Sequence, residues 1–211
     1  GHRNQRPWQG EVLDEQAPTQ PEYDASCYLC PRNTRVSGEV NPDYAGVFVF
    51  DNDHPAFGPD APAVATDVGI YQRHSAHGLA RVLCYSPKHN LTTADMSGDQ
   101  LLTLIRAWQQ QTLELRQRED VSSVLVFENR GAAVGMSNPH PHCQIFAASY
   151  VFQSLAVEAA AQAEHWQDHA DGLFESVMAT EAADEVRVLH QSENCMAFVP
   201  FCARWPYEVW I

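Results

Sequence analysis

Positive charge is scarce in this chain. Its 211 residues carry 13 Lys and Arg against 27 Asp and Glu, a formal net charge of −14 with a pI near 4.9. A surface of that sign repels a polyanion, which sets nucleic acid aside as a partner. A small phosphorylated ligand stays admissible, because a few local arginines and backbone N–H groups can bind it against the global field. Long apolar runs are missing as well, and Arg and Pro punctuate the start of the sequence. Neither a membrane span nor a signal peptide is read, and the expected location is the cytoplasm. In a reducing compartment the pair Cys27-x-x-Cys30 speaks for metal or redox chemistry before a structural disulfide. No internal repeat and no low-complexity tract is found.

What is present is an ordinary globular composition, 45% hydrophobic and 10% aromatic, long enough for one well-buried domain or a domain plus part of another. Residues 1–26 are polar and proline-bearing and read as an extended arm. Val47–Phe50, Leu79–Tyr85 and Val124–Phe127 read as buried strands, and residues 54–68, with three prolines and Gly58, as a loop. Ser97-Gly98-Asp99-Gln100 fits a capping box, and the helix after it places Leu101, Leu104, Ile105, Trp108 and Leu115 on one side. Residues 154–183 read mostly as helix. Val186–Leu189 and Cys195–Val199 read as a hairpin, and Trp205–Ile211 as a strand-like run.

Two constellations carry chemistry. Cys27 and Cys30 stand at a spacing suited to tetrahedral zinc, and the motif alone leaves metal and redox readings open. With no second C-x-x-C in the chain, further ligands would be histidines. His89 and His140 both lie at strand ends beside loops, where side chains of separate elements converge. Four protein ligands and no open position would make the site structural.

The second constellation is the stretch from Phe127 to Ala147, a polar loop with Gly131, Gly135, Ser137 and Asn138 followed by His140-Pro141-His142-Cys143-Gln144. In extended chain His140, His142 and Gln144 point one way. Pro139 and Pro141 cannot donate to a sheet ladder, which puts this segment at a strand's beginning or on an edge. A neutral imidazole attacks phosphorus through one nitrogen when a hydrogen bond keeps the proton on the other. The loop's N–H groups, the Ser137 hydroxyl and Gln144 would meet the charge developing on the phosphoryl oxygens. From the residues alone His142 is a candidate nucleophile. That both histidines serve structure or a metal stays open.

Gly135-Met136-Ser137-Asn138-Pro139-His140-Pro141-His142-Cys143-Gln144 closely resembles the active-site motif of the galactose-1-phosphate uridylyltransferases, a branch of the histidine-triad superfamily. Arg6-Pro7-Trp8-Gln9-Gly10, Cys27-x-x-Cys30, Gly38–Tyr44, Phe50–Asp53, Ser86-Pro87-x-His89, Phe127–Gly131 and Trp205-Pro206-Tyr207 resemble further blocks in the family's order. The resemblance implies an α+β, histidine-triad-like fold, an antiparallel sheet with packed helices. It implies that His142 forms a covalent uridylyl intermediate, moving UMP from UDP-glucose to galactose 1-phosphate with glucose 1-phosphate and UDP-galactose as products. Cys27, Cys30, His89 and His140 match zinc ligands. Arg3, Arg6, Asn52, Asp53, Asn129, Ser137 and Gln144 match positions that hold the nucleotide and phosphates. Glu158 matches one ligand of a second metal, iron in some members, although by itself it reads as a solvated helix glutamate. His165 and His169 share a helix face and match no role. Gln144 stands where histidine-triad hydrolases carry a third histidine, and the family associates glutamine there with transfer. A homodimer is the implied assembly.

Two departures stand out. Ser75-Ala76-His77-Gly78 replaces the family's Ser-Ala-Arg-Gly. The family also has a second histidine-triad-like half. We expect residues 1–185 to form the first domain and 186–211 to begin that second half, in a longer protein. The rival readings are a related nucleotide-sugar phosphorylase or adenylyltransferase, and a non-catalytic zinc-stabilised nucleotide-binding module.

Overall fold

A computed structural model describes residues 20–62, 64, 69–71, 73, 75–131 and 134–211. They fall into two compact units, the first ending at Tyr150 and the second spanning Val151–Ile211. In the first, β1 (Phe48–Asp51), β2 (Gly78–Cys84), β3 (Ser123–Phe127) and β4 (His142–Ala148) form one sheet in the order β1-β2-β4-β3. Every pairing is antiparallel. Helix α1 (Gly98–Arg116) enters between β2 and β3 in sequence.

The period of two along each strand sorts the side chains into two clusters. Val49, Leu79, Leu83, Val124, Val126, Cys143, Ile145 and Ala147 pack with Leu101, Leu104, Trp108 and Leu115 of α1. Val82 and Cys84 pack instead with Phe48, Phe50, Tyr44 and the Cys27–Cys30 segment. One face of the sheet is thus closed by the helix and the other by the cysteine-bearing loop.

Helix α1 begins at the expected capping box. The Ser97 hydroxyl accepts from Gln100 N, and the Gln100 side chain accepts from Ser97 N. Ile105 departs from the expected stripe. It is 53% exposed, because Leu104 and Trp108 already meet the sheet and the next residue turns about 100° away. Gly78 opens β2 where no side chain fits: an added Cβ would lie 2.2 Å from the Ala147 carbonyl oxygen and 2.9 Å from the Phe57 ring.

In the second unit the expected helical stretch is two helices, α2 (Gln153–His169) and α3 (Leu173–Asp184), parted by Ala170 in the left-handed region and by Gly172. Glu181, 3% exposed, accepts on both carboxylate oxygens from Arg187 Nε. Strands β5 (Val188–Gln191) and β6 (Met196–Phe198) form the expected hairpin, two residues later at its start. The run from Trp205 is not a strand. It bends at Tyr207, where the Glu208 carboxylate accepts from Arg204 N, and only Trp210 pairs back, to Phe198.

Candidate functional site

On the sheet face closed by the cysteine-bearing loop, Cys27, Cys30, His89 and His140 converge, all buried, with one ligand atom from each within 4.8 Å of the others. Cys30 Sγ is 3.6 Å from His89 Nδ1 and 3.5 Å from His140 Nδ1. Bonds of about 2.0–2.3 Å give a zinc tetrahedron edges of about 3.3–3.8 Å, and the two Cys30–histidine separations fall in that range. Side chains hold the turn carrying the thiols. Asn41 Nδ2 donates to the carbonyls of Tyr28 and Cys30, Asn33 Nδ2 to that of Cys27, and Tyr44 OH to that of Leu29. The backbone N–H of Leu29 and Asn138 Nδ2 both donate to Cys27 Sγ.

The chemistry of the set fits a divalent cation. Burial pushes the Cys30 thiol up to about 11 and the His140 imidazole down to about 4, and lowers His89 too. Both imidazoles are therefore neutral, as ligands must be, and buried thiols of this kind release their protons to a metal. Among the described residues His89 Nε2 is buried without a hydrogen-bond partner, while its Nδ1 faces the Cys30 sulfur. His140 is fixed from behind. Its Nε2–H points at Ser86 O, 3.0 Å away, with the Tyr44 oxygen at 3.1 Å, which leaves the Nδ1 lone pair for the metal.

His142 has a different setting. Its Nδ1–H donates to the His140 carbonyl at 2.7 Å, so the lone pair lies on Nε2. The ring is half-buried and borders a cavity of about 340 Å³. Ser137 and Gln144 line this cavity beside it, and Asn52 and Asp53 line it from the end of β1. The neighbouring wall is apolar, formed by Tyr28, Leu29, Val36, Phe50 and Val82. The arrangement sets an imidazole with a fixed tautomer against a slot for a flat or sugar-bearing group, with polar donors at its elbow.

Structure separates the two histidines more simply than a twist within a strand would. His140 stands before β4, with Pro141 accepting from Tyr85 N, and the ladder begins only at His142. Asn129 lies exposed just past β3 and does not border the cavity. Arg3 and Arg6 fall outside the described residues. Glu158 is exposed on α2, and the described residues hold no metal-ligand group containing it. His165 is held by Ser176 Oγ at 3.2 Å. Sequence reading missed Tyr28 and Leu29 as cavity wall, although their place between the two cysteines was a usable signal. It also missed Tyr44 and Asn138 as supports of the cluster, and His54, which borders the cavity.

Residues 1–151 match the family described as galactose-1-phosphate uridyl transferase, N-terminal domain. Among curated relatives, the galactose-1-phosphate uridylyltransferase of Haemophilus influenzae is 38% identical over 208 residues, covering 98% of this chain and 59% of its own length. That of Rattus norvegicus is also 38% identical, covering 98% and 54%. The chain thus spans under two thirds of these relatives. A solved uridylyltransferase superposes with a TM-score of 0.77 at 27% identity, covering 97% of this chain and 63% of that one. An ADP-glucose phosphorylase from Arabidopsis thaliana shares the fold, with a TM-score of 0.67 at 20% identity over 89% and 59% of the two chains. With its α+β, histidine-triad-like sheet and its motif in register at β4, the chain belongs to the galactose-1-phosphate uridylyltransferase family.

Proposed function

We propose that this chain carries the nucleotide-transfer half of a UDP-glucose–hexose-1-phosphate uridylyltransferase. The observation that carries the reading is the 2.7 Å hydrogen bond from His142 Nδ1 to the His140 carbonyl, with the ring bordering a cavity shared by Ser137 and Gln144. His142 Nε2 attacks the α-phosphorus of UDP-glucose; the P–N bond forms as the bond to the β-phosphate oxygen breaks, and glucose 1-phosphate leaves. The phosphate oxygen of galactose 1-phosphate then attacks the same phosphorus, the P–N bond breaks, and UDP-galactose forms. Each displacement inverts phosphorus, so the net outcome is retention. The His140 carbonyl holds the imidazole proton and eases the cation created on attack. Ser137 and Gln144 donate to the phosphoryl oxygens. Asn52 and Asp53 bind the nucleoside, and Asn129, Arg3 and Arg6 belong to the same set by family likeness.

Zinc is the ion we assign to Cys27, Cys30, His89 and His140. With four protein ligands and no open position, it supplies structural cross-linking and takes no part in the displacement. We assign Glu158 to a second metal whose remaining ligands, with the acceptor-sugar residues, lie in the part of the family's length that this chain does not span. A cytoplasmic homodimer completes the proposal.

Intact-mass measurement after mixing the protein with UDP-glucose tests it. One added uridylyl group is expected on the wild type and none on His142→Gly, with equal zinc content in both. A labelled His142→Gly protein sinks the mechanism. Repeating the measurement with other nucleotide sugars separates uridylyl transfer from its phosphorylase and adenylyltransferase relatives.

A further inference from the structure

Arg35 touches neither cavity nor cluster, yet it is tied to the cavity wall from behind. Its side chain is 7% exposed, and its guanidinium pairs with Asp53 Oδ1 at 3.0 Å and with the Glu39 carboxylate. It also lies over the Phe50 ring, 4.2 Å from the centroid. Asp53 and Phe50 both line the cavity that His142 borders; Arg35 does not. The other Asp53 oxygen accepts from Ser37 N at 3.4 Å, so the loop after Cys30 grips this carboxylate twice. A buried ion pair is poor evidence of stabilisation, since desolvation of both charges offsets most of the attraction. Its location points elsewhere. Among the described residues lining the cavity there is no Lys or Arg, the protein's net charge is −14, and Asp53 is the cavity's carboxylate. Unpaired, that carboxylate would repel the diphosphate of a nucleotide across a poorly solvated gap.

We propose that Arg35 is a positioning residue for nucleotide binding. It fixes the Asp53 carboxylate and the Phe50 ring in the cavity wall and cancels the charge that an anionic ligand would otherwise meet. This rests on the nucleotide reading of the cavity. Because Arg35 reaches no reacting atom, its loss acts on affinity and leaves the attack by His142 at saturation intact.

The test measures UDP and uridine binding by calorimetry, and the rate of uridylylation at saturating UDP-glucose, for wild type, Arg35→Gln and Arg35→Lys. Arg35→Gln should weaken UDP by about tenfold or more, and the neutral uridine by less, as expected when one partner of a buried pair is removed. Arg35→Lys restores the charge without the planar fork and should fall between wild type and Arg35→Gln. Saturated uridylylation should stay within about threefold of wild type in both variants, the pattern of lost binding without lost transition-state stabilisation. UDP affinity unchanged in Arg35→Gln overturns the proposal. So does a saturated rate that falls in parallel with affinity, which marks a merely structural role. If Arg35→Gln does not fold, Arg35→Lys with wild-type UDP affinity overturns it equally. A wild-type protein that binds no UDP instead overturns the nucleotide reading itself.

Discussion

Tyr44→Phe isolates one hydroxyl between the metal cluster and the fold. That hydroxyl donates to the Leu29 carbonyl at 2.6 Å and stands 3.1 Å from His140 Nε2. The substitution keeps the ring, and with it the stack on Phe48 at a 4.9 Å centroid separation. The Leu29 carbonyl, inside the turn that carries both thiols, loses its side-chain donor, and stranding a buried acceptor costs about 1–3 kcal/mol. His140 keeps its stronger bond to Ser86 O at 3.0 Å, so the imidazole stays in the right tautomer but is less firmly aimed. Loss of such an outer partner lowers metal affinity by about 10- to 100-fold. The stranded carbonyl alone, at about 2 kcal/mol, corresponds to a drop of about 4–8 °C in Tm for a chain of this size. Competition against a chromophoric chelator gives the metal affinity, and melting with and without that chelator separates the metal's share from the turn's own. Metal affinity within twofold of wild type would refute the assignment of Tyr44 as a support of the cluster.

Two further substitutions probe the same framework from its two faces. Cys27→Ser removes one thiol of the cluster and, with zinc assigned there, should abolish stoichiometric zinc and lower stability, since binding free energy at a structural site is folding free energy; zinc analysis and melting check it, and full zinc content would contradict the ligand set. Ile145→Ala empties a fully buried position between the sheet and α1 and should cost about 2–5 kcal/mol by urea unfolding, with zinc content retained; loss of zinc there would mean the two faces are not separable.

The sheet was legible because its strands are short apolar runs, covered on both faces, and its helix announces its start. Val124–Phe127, Leu79–Tyr85 and Val47–Phe50 each appear within a residue or two of their expected bounds, and the Ser97 capping box forms as written. What the sequence could not place depends on distance in space. Ile105 was assigned to the buried stripe because periodicity reports direction and not how wide the sheet beneath is. Trp205–Ile211 has strand composition but bends at Tyr207, where the Glu208 carboxylate takes the backbone donors that a ladder would use. Arg35 was invisible for the same reason: its partners Asp53 and Phe50 lie on another element, and nothing in its own neighbours marks it.

The two histidines of the motif are joined by more than spacing. The imidazole of His140 reaches into the cysteine cluster, while the carbonyl of the same residue fixes the proton of His142. His140 N in turn donates to Asn138 Oδ1, and the amide nitrogen of Asn138 reaches Cys27 Sγ. The backbone of His140 is therefore held at three points, by its side chain, its N–H and its C=O. A proline on each side, at 139 and 141, removes competing donors and narrows the backbone freedom between them. The spacing of two is what this requires. With one residue more between the two histidines, the period of the strand would turn the second ring into the core beside Cys143 and Ile145. The cluster and His142 are thus one device: what anchors His140 also decides which nitrogen of His142 keeps its lone pair free.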